Sequence, residues 1–120
     1  MSAYTLAIYG RPAPKNRARL GVGGGFYTPR STRDYEDRIA WSCRADAIWF
    51  GEAPVAIEIE LHARKKLRGD IDNYVKSVLD GLVKGGKIDD DRTVIRVDAF
   101  FVEAASEDKT IVRITRKAAA

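Results

Sequence analysis

Cysteine and histidine are almost absent from this 120-residue sequence: Cys43 and His62 are the single instances of each. One thiol excludes an intrachain disulfide, and one thiol with one imidazole cannot supply an ordinary structural zinc site. Long apolar runs are missing too, so no segment approaches the length that a membrane-spanning helix needs. The opening Met-Ser-Ala-Tyr-Thr-Leu-Ala has neither the basic start nor the apolar stretch of a secretory signal. These absences predict a protein of the reducing cytoplasm with no membrane partner. Acid is missing from the first third: Met1 to Arg33 carries Arg11, Lys15, Arg17, Arg19, Arg30 and Arg33 and no aspartate or glutamate.

What is present fits one domain spanning residues 1–120. The hydrophobic content of 45% is ordinary for a globular chain and sufficient for one core. Net charge is +4. A second basic cluster, Arg64, Lys65, Lys66 and Arg68, stands just ahead of an acidic segment. Two basic clusters beside concentrated aspartate point to a polyanion held around a metal-binding centre, with Arg11, Lys15, Arg17, Arg19, Arg64, Lys65, Lys66 and Arg68 as phosphate contacts. A solvated basic face is the plainer reading of either cluster taken alone.

Alternation predicts a strand over Ala3 to Tyr9, and the two prolines of the segment from Gly10 to Arg19 forbid regular pairing there. The glycine run from Gly21 to Gly25 lacks the Lys-Ser/Thr ending of a phosphate-binding loop and reads as a hairpin tip or flap. A helix capped by Ser31 or Thr32 follows, with Tyr35, Ile39, Cys43 and Ala47 as its buried stripe. Pro54 to Ala63 alternates as a strand whose polar side carries His62, read as a surface residue. From Ile71 to Val83 the apolar residues have helical period, with Asp72 placed to cap and Gly85-Gly86 to supply a left-handed exit. Strands are expected at Thr93–Val102 and Thr110–Thr115 with a polar turn between them. The order β-loop-α-β-α-β-β predicts an α+β fold, helices packed on one mixed sheet.

Eleven of the 17 acids are aspartate, and six of those fall between Asp70 and Asp91. Asp70 and Asp72 flank Ile71 at a strand-to-helix junction, where both carboxylates can project to one side and share a cation. Asn73, Lys76 and Asp80 follow at helical spacings of three and four. The run Asp89-Asp90-Asp91 lies one loop later. Oxygen donors without histidine or cysteine suit Mg²⁺, with Mn²⁺ as a substitute. Such an ion can activate water and neutralise charge on a phosphodiester, and Lys76 can stabilise the charged transition state. Taken singly, Asp72 is a helix cap, Lys76 a surface lysine, and the triple aspartate an acidic turn.

The run Asp70-x-Asp72-Asn73-x-x-Lys76-x-x-x-Asp80-Gly81-Leu82, followed by Gly86-x-Ile88-x-Asp90-Asp91 and Val94-Ile95, resembles the core signature of the RusA-type Holliday junction resolvases, the crossover junction endodeoxyribonucleases. The segments Gly10-x-Pro12-x-Pro14-Lys15-x-Arg17-x-Arg19 and Tyr27-Thr28-Pro29 are similar to that family's first third. The resemblance implies that Asp70, Asp72 and Asp91 hold a catalytic Mg²⁺, that Lys76 faces the phosphate, and that Asn73, Asp80 and Asp90 support them. It implies a homodimer, phage- or bacterium-encoded, that resolves four-way DNA junctions by paired symmetric nicks in recombination and repair. Lys87 departs from the pattern, standing where an apolar residue is common. The alternatives are a non-catalytic basic DNA-binding protein and a metal nuclease for other branched nucleic acids. Trp41, Ile48, Trp49 and Phe50 fall largely off the helical stripe and are candidates for burial against a second copy.

Overall fold

A computed structural model describes residues 3–15, 19–20, 26–27 and 30–117. In chain order the elements are β1 (Tyr4–Tyr9), β2 (Arg19–Leu20), β3 (Phe26–Tyr27), α1 (Arg30–Cys43), β4 (Val55–His62), α2 (Ile71–Lys84), a single 3-10 turn (Asp91–Thr93), β5 (Val94–Val102) and β6 (Lys109–Arg116). Four strands form a mixed sheet in the order β1-β6-β4-β5. β4 pairs antiparallel with β6 and parallel with β5, and β1 pairs antiparallel with β6. The expected α+β architecture is therefore present. The short strands β2 and β3 pair antiparallel with each other, flanking the glycine run, which itself lies outside the described residues.

The core follows from period-two burial on the central strand. Val55, Ile57, Ile59 and Leu61 of β4 are buried, while Glu58, Glu60 and His62 point to the other face. Val112 and Ile114 of β6 and Leu6 and Ile8 of β1 extend the same apolar layer. Two helices cover it, α1 through Tyr35, Ile39 and Cys43 and α2 through Tyr74, Val78 and Leu82. Each such aliphatic contributes about 1.5–3 kcal/mol by leaving water. The uncovered face is polar, and Arg113 there bonds both Glu58 and Glu60.

The helices approach each other closely because glycine stands at Gly81 within α2 and at Gly85, its C-cap, four residues on. A Cβ added at Gly81 would lie 2.8 Å from the Ile39 Cβ, and one at Gly85 would lie 2.8 Å from the Ala40 Cα. The Asp80-Gly81-Leu82 motif is thus partly a packing device.

Several local expectations are corrected. α1 begins at Arg30, before either expected cap, and the buried Thr32 hydroxyl donates to the Pro14 carbonyl at 2.9 Å instead of capping. Ala47 is exposed beyond the end of α1, so the buried stripe stops at Cys43. Asp70 occupies the N-cap position of α2, without a side-chain cap bond, and Asp72 lies in the first turn. Of the two exit glycines only Gly86, with φ of 78°, is left-handed; Gly85 stays right-handed.

Lys87 is fully buried, which explains why it is not simply a polar intruder. Its ammonium donates to Asp46 at 2.8 Å and to the Ile48 carbonyl, and it lies 4.6 Å from the Tyr4 ring centroid and 4.7 Å from that of Trp49. The Tyr4 hydroxyl completes the cluster with a 2.6 Å bond to the other Asp46 oxygen. These bonds tether the segment after α1 to the loop after α2. Asp46 is held down to about 2, first by the Lys87 hydrogen bond, then by Tyr4 and the Ile48 amide.

Two outcomes follow from this packing. Gly81→Ala should destabilise the protein by about 1–2 kcal/mol in urea unfolding, because overpacking against Ile39 outweighs the gain in helix propensity. Asp46 titrates lower folded than unfolded, so its contribution to stability is complete above the ordinary carboxylate range and lost as pH falls towards about 2. Acid unfolding of Asp46→Asn should accordingly show a shallower loss of stability across that interval, and an unchanged slope would exclude this linkage.

Candidate active site

The aspartate-rich segment becomes α2 and the loop after it, so the helix decides where each carboxylate lies. Asp70 and Asp72 sit at its N-terminal end, both exposed, and neither forms an ion pair among the described residues. Lys76 is exposed one turn beyond Asp72, and Asp80 follows after another. Asn73 is half-buried, and its carbonyl accepts from the Lys15 amide at 2.8 Å. The 3-10 turn that carries Asp91 packs beside the other half of α2.

Asp91 and the Asp70–Asp72 pair therefore lie at opposite ends of the helix. Tyr74 meets Phe101 edge to face, with centroids 5.5 Å apart, which fixes the start of α2 over the far end of β5. Asp91 instead precedes Val94, the first residue of that strand. From Val94 to Phe101 the strand rises roughly 23 Å. Within one chain the expected convergence of Asp70, Asp72 and Asp91 does not occur. Among the described residues no three acidic, histidine or cysteine side chains are grouped closely enough to hold a metal.

A cleft of about 380 Å³ does form around Asp91, lined by Lys15, Glu36, Asp80, Val83, Lys84, Asp90 and Asp91. Asp90, not Asp89, is the neighbour that bonds Asp91. The Asp90 carboxylate caps the 3-10 turn by accepting from the Arg92 amide at 2.9 Å. That bond, followed by the one with Asp91, lowers its proton affinity. Asp91 is shifted upward, first by the hydrogen bond with Asp90, then by burial and by the charges of Asp90 and Asp80.

Lys15 departs most from its expected role as a phosphate contact. Its ammonium is engaged within the chain, 2.9 Å from Glu36 and 3.1 Å from Asp80. Burial works against its charge, but these two hydrogen bonds outweigh it and raise its proton affinity. Glu36, which the sequence shows only as one acid in the first turns of a helix, is thereby drawn into the cleft. Lys84, likewise unforeseen, borders it and pairs with Asp37. No sequence spacing signals either residue, because both arrive from how α1 packs on α2.

The two basic stretches come together. The Arg11 guanidinium donates to the Lys65 and Lys66 carbonyls at 3.2 and 2.9 Å. Arg64, Lys65, Lys66 and Arg68 are all exposed, and Leu67 is buried as the anchor between them. Arg64 also lies near Asp108, at 3.9 Å. Arg17 and the Arg19 side chain lie outside the described residues. The basic surface thus borders the end of α2 that carries Asp70 and Asp72.

The chain can now be set beside known proteins. A crossover junction endodeoxyribonuclease RusA from Aquifex aeolicus (strain VF5) is 29% identical over 119 residues, covering 95% of this chain and 92% of that one. Among solved structures, the HypE-HypF complex aligns with 15% identity and a TM-score of 0.35, over 93% of this chain. The present chain spans only 30% of that one, and the likeness carries no argument. The family model described as Endodeoxyribonuclease RusA matches residues 9–115, a span that includes both basic clusters and all six clustered aspartates. With almost its whole length matched, the chain belongs to the RusA endodeoxyribonuclease family.

Proposed function

We propose that the protein is a Mg²⁺-dependent endodeoxyribonuclease that resolves four-way DNA junctions by paired symmetric nicks, in recombination and repair. The observation that carries this reading is the pair of exposed, uncompensated carboxylates, Asp70 and Asp72, set directly beside an exposed basic surface. Basic side chains would seat the DNA backbone, and carboxylates left without a counter-charge suit a cation at the bound phosphate. The name of the Aquifex relative supports the four-way junction as substrate. A non-catalytic DNA-binding protein would have no use for uncompensated aspartates at its DNA surface. A nuclease for other branched nucleic acids shares all these features and is separated by substrate alone.

The donor set fits Mg²⁺ chemically, being carboxylate oxygen throughout, with Mn²⁺ as a substitute. When bound, the ion would supply charge neutralisation at the scissile phosphate and an activated water. Asp70 and Asp72 would hold it, at the N-terminal end of α2, where the helix dipole favours negative charge. Lys76, one turn on, would bring positive charge to the phosphate, and Asn73 would hold the turn through its bond with Lys15. Asp91 lies too far along the sheet to join them within one chain, so a second copy would contribute it. Asp90 and Asp80 would keep that Asp91 poised. A homodimer with two such shared sites also meets the two-fold demand of a four-way junction.

Cleavage of a labelled four-way junction, a flap and a linear duplex, with Mg²⁺ or with EDTA, tests the activity. Cutting should be confined to the junction with Mg²⁺, and Asp70→Asn or Asp72→Asn should abolish it while sparing folding and binding. Cutting that survives in EDTA or in both variants would defeat the reading. Mixing inactive Asp70→Asn with inactive Asp91→Asn tests the shared site. Half the dimers would then be mixed, each with one intact site, restoring roughly a quarter of the wild-type nicking sites for two-fold pairing. Sites contained in single chains would restore none.

Salt dependence tests the basic surface. Replacing Arg64, Lys65 and Lys66 by glutamine should lower the slope of log affinity against log salt by on the order of 2–3, since each phosphate contact contributes about 0.9. Lys15→Gln should leave that slope unchanged, because Lys15 is engaged by Glu36 and Asp80.

A further inference from the structure

We propose that Lys15 is a positioning residue for the reaction: by holding the Asp80 carboxylate it keeps the Lys76 ammonium unpaired and available to the DNA phosphate. This rests on the functional reading above and adds to it a residue that touches neither metal nor DNA.

Lys76 stands on α2 with an aspartate four residues away on either side, Asp72 before it and Asp80 after it. Side chains four apart on a helix are neighbours, and opposite charges at that spacing attract. Among the described residues Lys76 is nevertheless exposed and in no ion pair. A cation held by Asp72 would remove the first competitor, which leaves Asp80. Long helical side chains lean toward the helix N-terminus, so an unpaired Lys76 lies toward Asp72. Pairing with Asp80 would draw its ammonium the other way, along the helix and away from Asp70 and Asp72.

Lys15 takes Asp80 out of that competition. Its ammonium lies 3.1 Å from Asp80 and 2.9 Å from Glu36. Two features favour it over Lys76 as the partner. Its backbone is already fixed, since its amide donates to the Asn73 carbonyl at 2.8 Å and the preceding Pro14 carbonyl accepts from Thr32. A side chain launched from a fixed backbone has less freedom to lose on pairing. It also serves two carboxylates at once, and Glu36, with its side chain only 10% exposed, is costly to leave alone. Asn73 and Asp80 are about two helical turns apart, so Lys15 grips α2 on both sides of Lys76, by its amide before and its ammonium after. The other lysine four residues from Asp80, Lys84, is paired with Asp37. Lys76 is thus the cation to which a released Asp80 turns.

Zero-length carbodiimide coupling of the full chain, without DNA or metal, followed by peptide mass spectrometry, reads which ammonium lies against Asp80. Wild type should link Lys15 to Asp80 and Glu36. Lys15→Gln should raise the Lys76–Asp80 link by about threefold or more. Lys15→Gln combined with Glu36→Gln should do the same and leaves no nearly buried carboxylate unpaired, so the measurement stands even where the single variant folds poorly by circular dichroism. In junction cleavage, Lys15→Gln should lower kcat by about threefold or more with KM unchanged, and Lys15→Arg, whose guanidinium can hold both carboxylates, should restore it. In an Asp80→Asn background, Lys15→Gln should cause no further loss, because the competing carboxylate is gone. An unchanged Lys76–Asp80 link, a link from Asp80 to Lys84 instead, or a rate loss that persists in the Asp80→Asn background would overturn the proposal. A wild type that cuts no junction would defeat the functional reading, and the coupling pattern would then still decide whether Lys15 keeps Asp80 from Lys76.

Discussion

The parallel pairing of β4 with β5 is the constraint on which the rest depends. Parallel neighbours need a crossover, and the chain spends α2 on it. A crossover helix must run back along the sheet, so its beginning lies over the ends of both strands and its end over their starts. Every residue of the acidic segment is placed by that geometry. Asp70 and Asp72 go to the end of the sheet where the basic surface lies, and Asp91, the last residue before β5 rises, goes to the other. The separation of carboxylates that share one chemistry is therefore a product of topology and not of a local irregularity.

Holding α2 in place takes more than its apolar stripe. Gly81 and Gly85 let the backbone of α1 approach so closely that a methyl group at either position would collide. Lys15 then crosses from the N-terminal loop to Glu36 on α1 and Asp80 on α2. The loop itself is anchored by the Lys15 amide on Asn73 and the Thr32 hydroxyl on Pro14. At the far end, Lys87 ties the exit of α2 to the exit of α1 through Asp46 and Ile48. Two lysines thus serve as internal cross-links, and both lie among residues whose charge suggests solvent or phosphate.

The elements were legible in the sequence because their signals are local. Alternation around Val55–Leu61 and the helical period of Ile71–Val83 depend only on which face is apolar, and burial on a two-layer fold enforces both. Helix ends were less legible. Thr32 has the chemistry of a cap, but its hydroxyl finds a better acceptor at Pro14, a contact made only after folding. Ala47 continues the spacing of the stripe, yet the helix has already ended. The residue types of the acidic cluster were legible, and the expectation of a hard cation rests on those oxygen donors alone. Its arrangement was not, because spacing along the chain says nothing about which end of a crossover each residue reaches. Glu36 entered the cleft unannounced for the same reason, as did the engagement of Lys15 by Glu36 and Asp80.

Self-complementarity is a property that a single sequence can carry without displaying it. Arg96 and Asp98 two residues apart read as an ordinary surface pair, and in one chain that is what they are, exposed and worth little. Their meaning changes once β5 is known to be an edge, because a two-fold axis maps a strand onto itself reversed. Opposite charges placed symmetrically about a residue attract under that operation, whereas like charges so placed repel. Within β5, Val97 is the one centre flanked in this way by charges of the strand itself, and the apolar residues beyond them match under the same reversal. A monomer gains nothing from such symmetry, since its own ladder to β4 is set by different partners. Within one chain Arg96 and Asp98 meet only each other, across one residue of an exposed sheet edge.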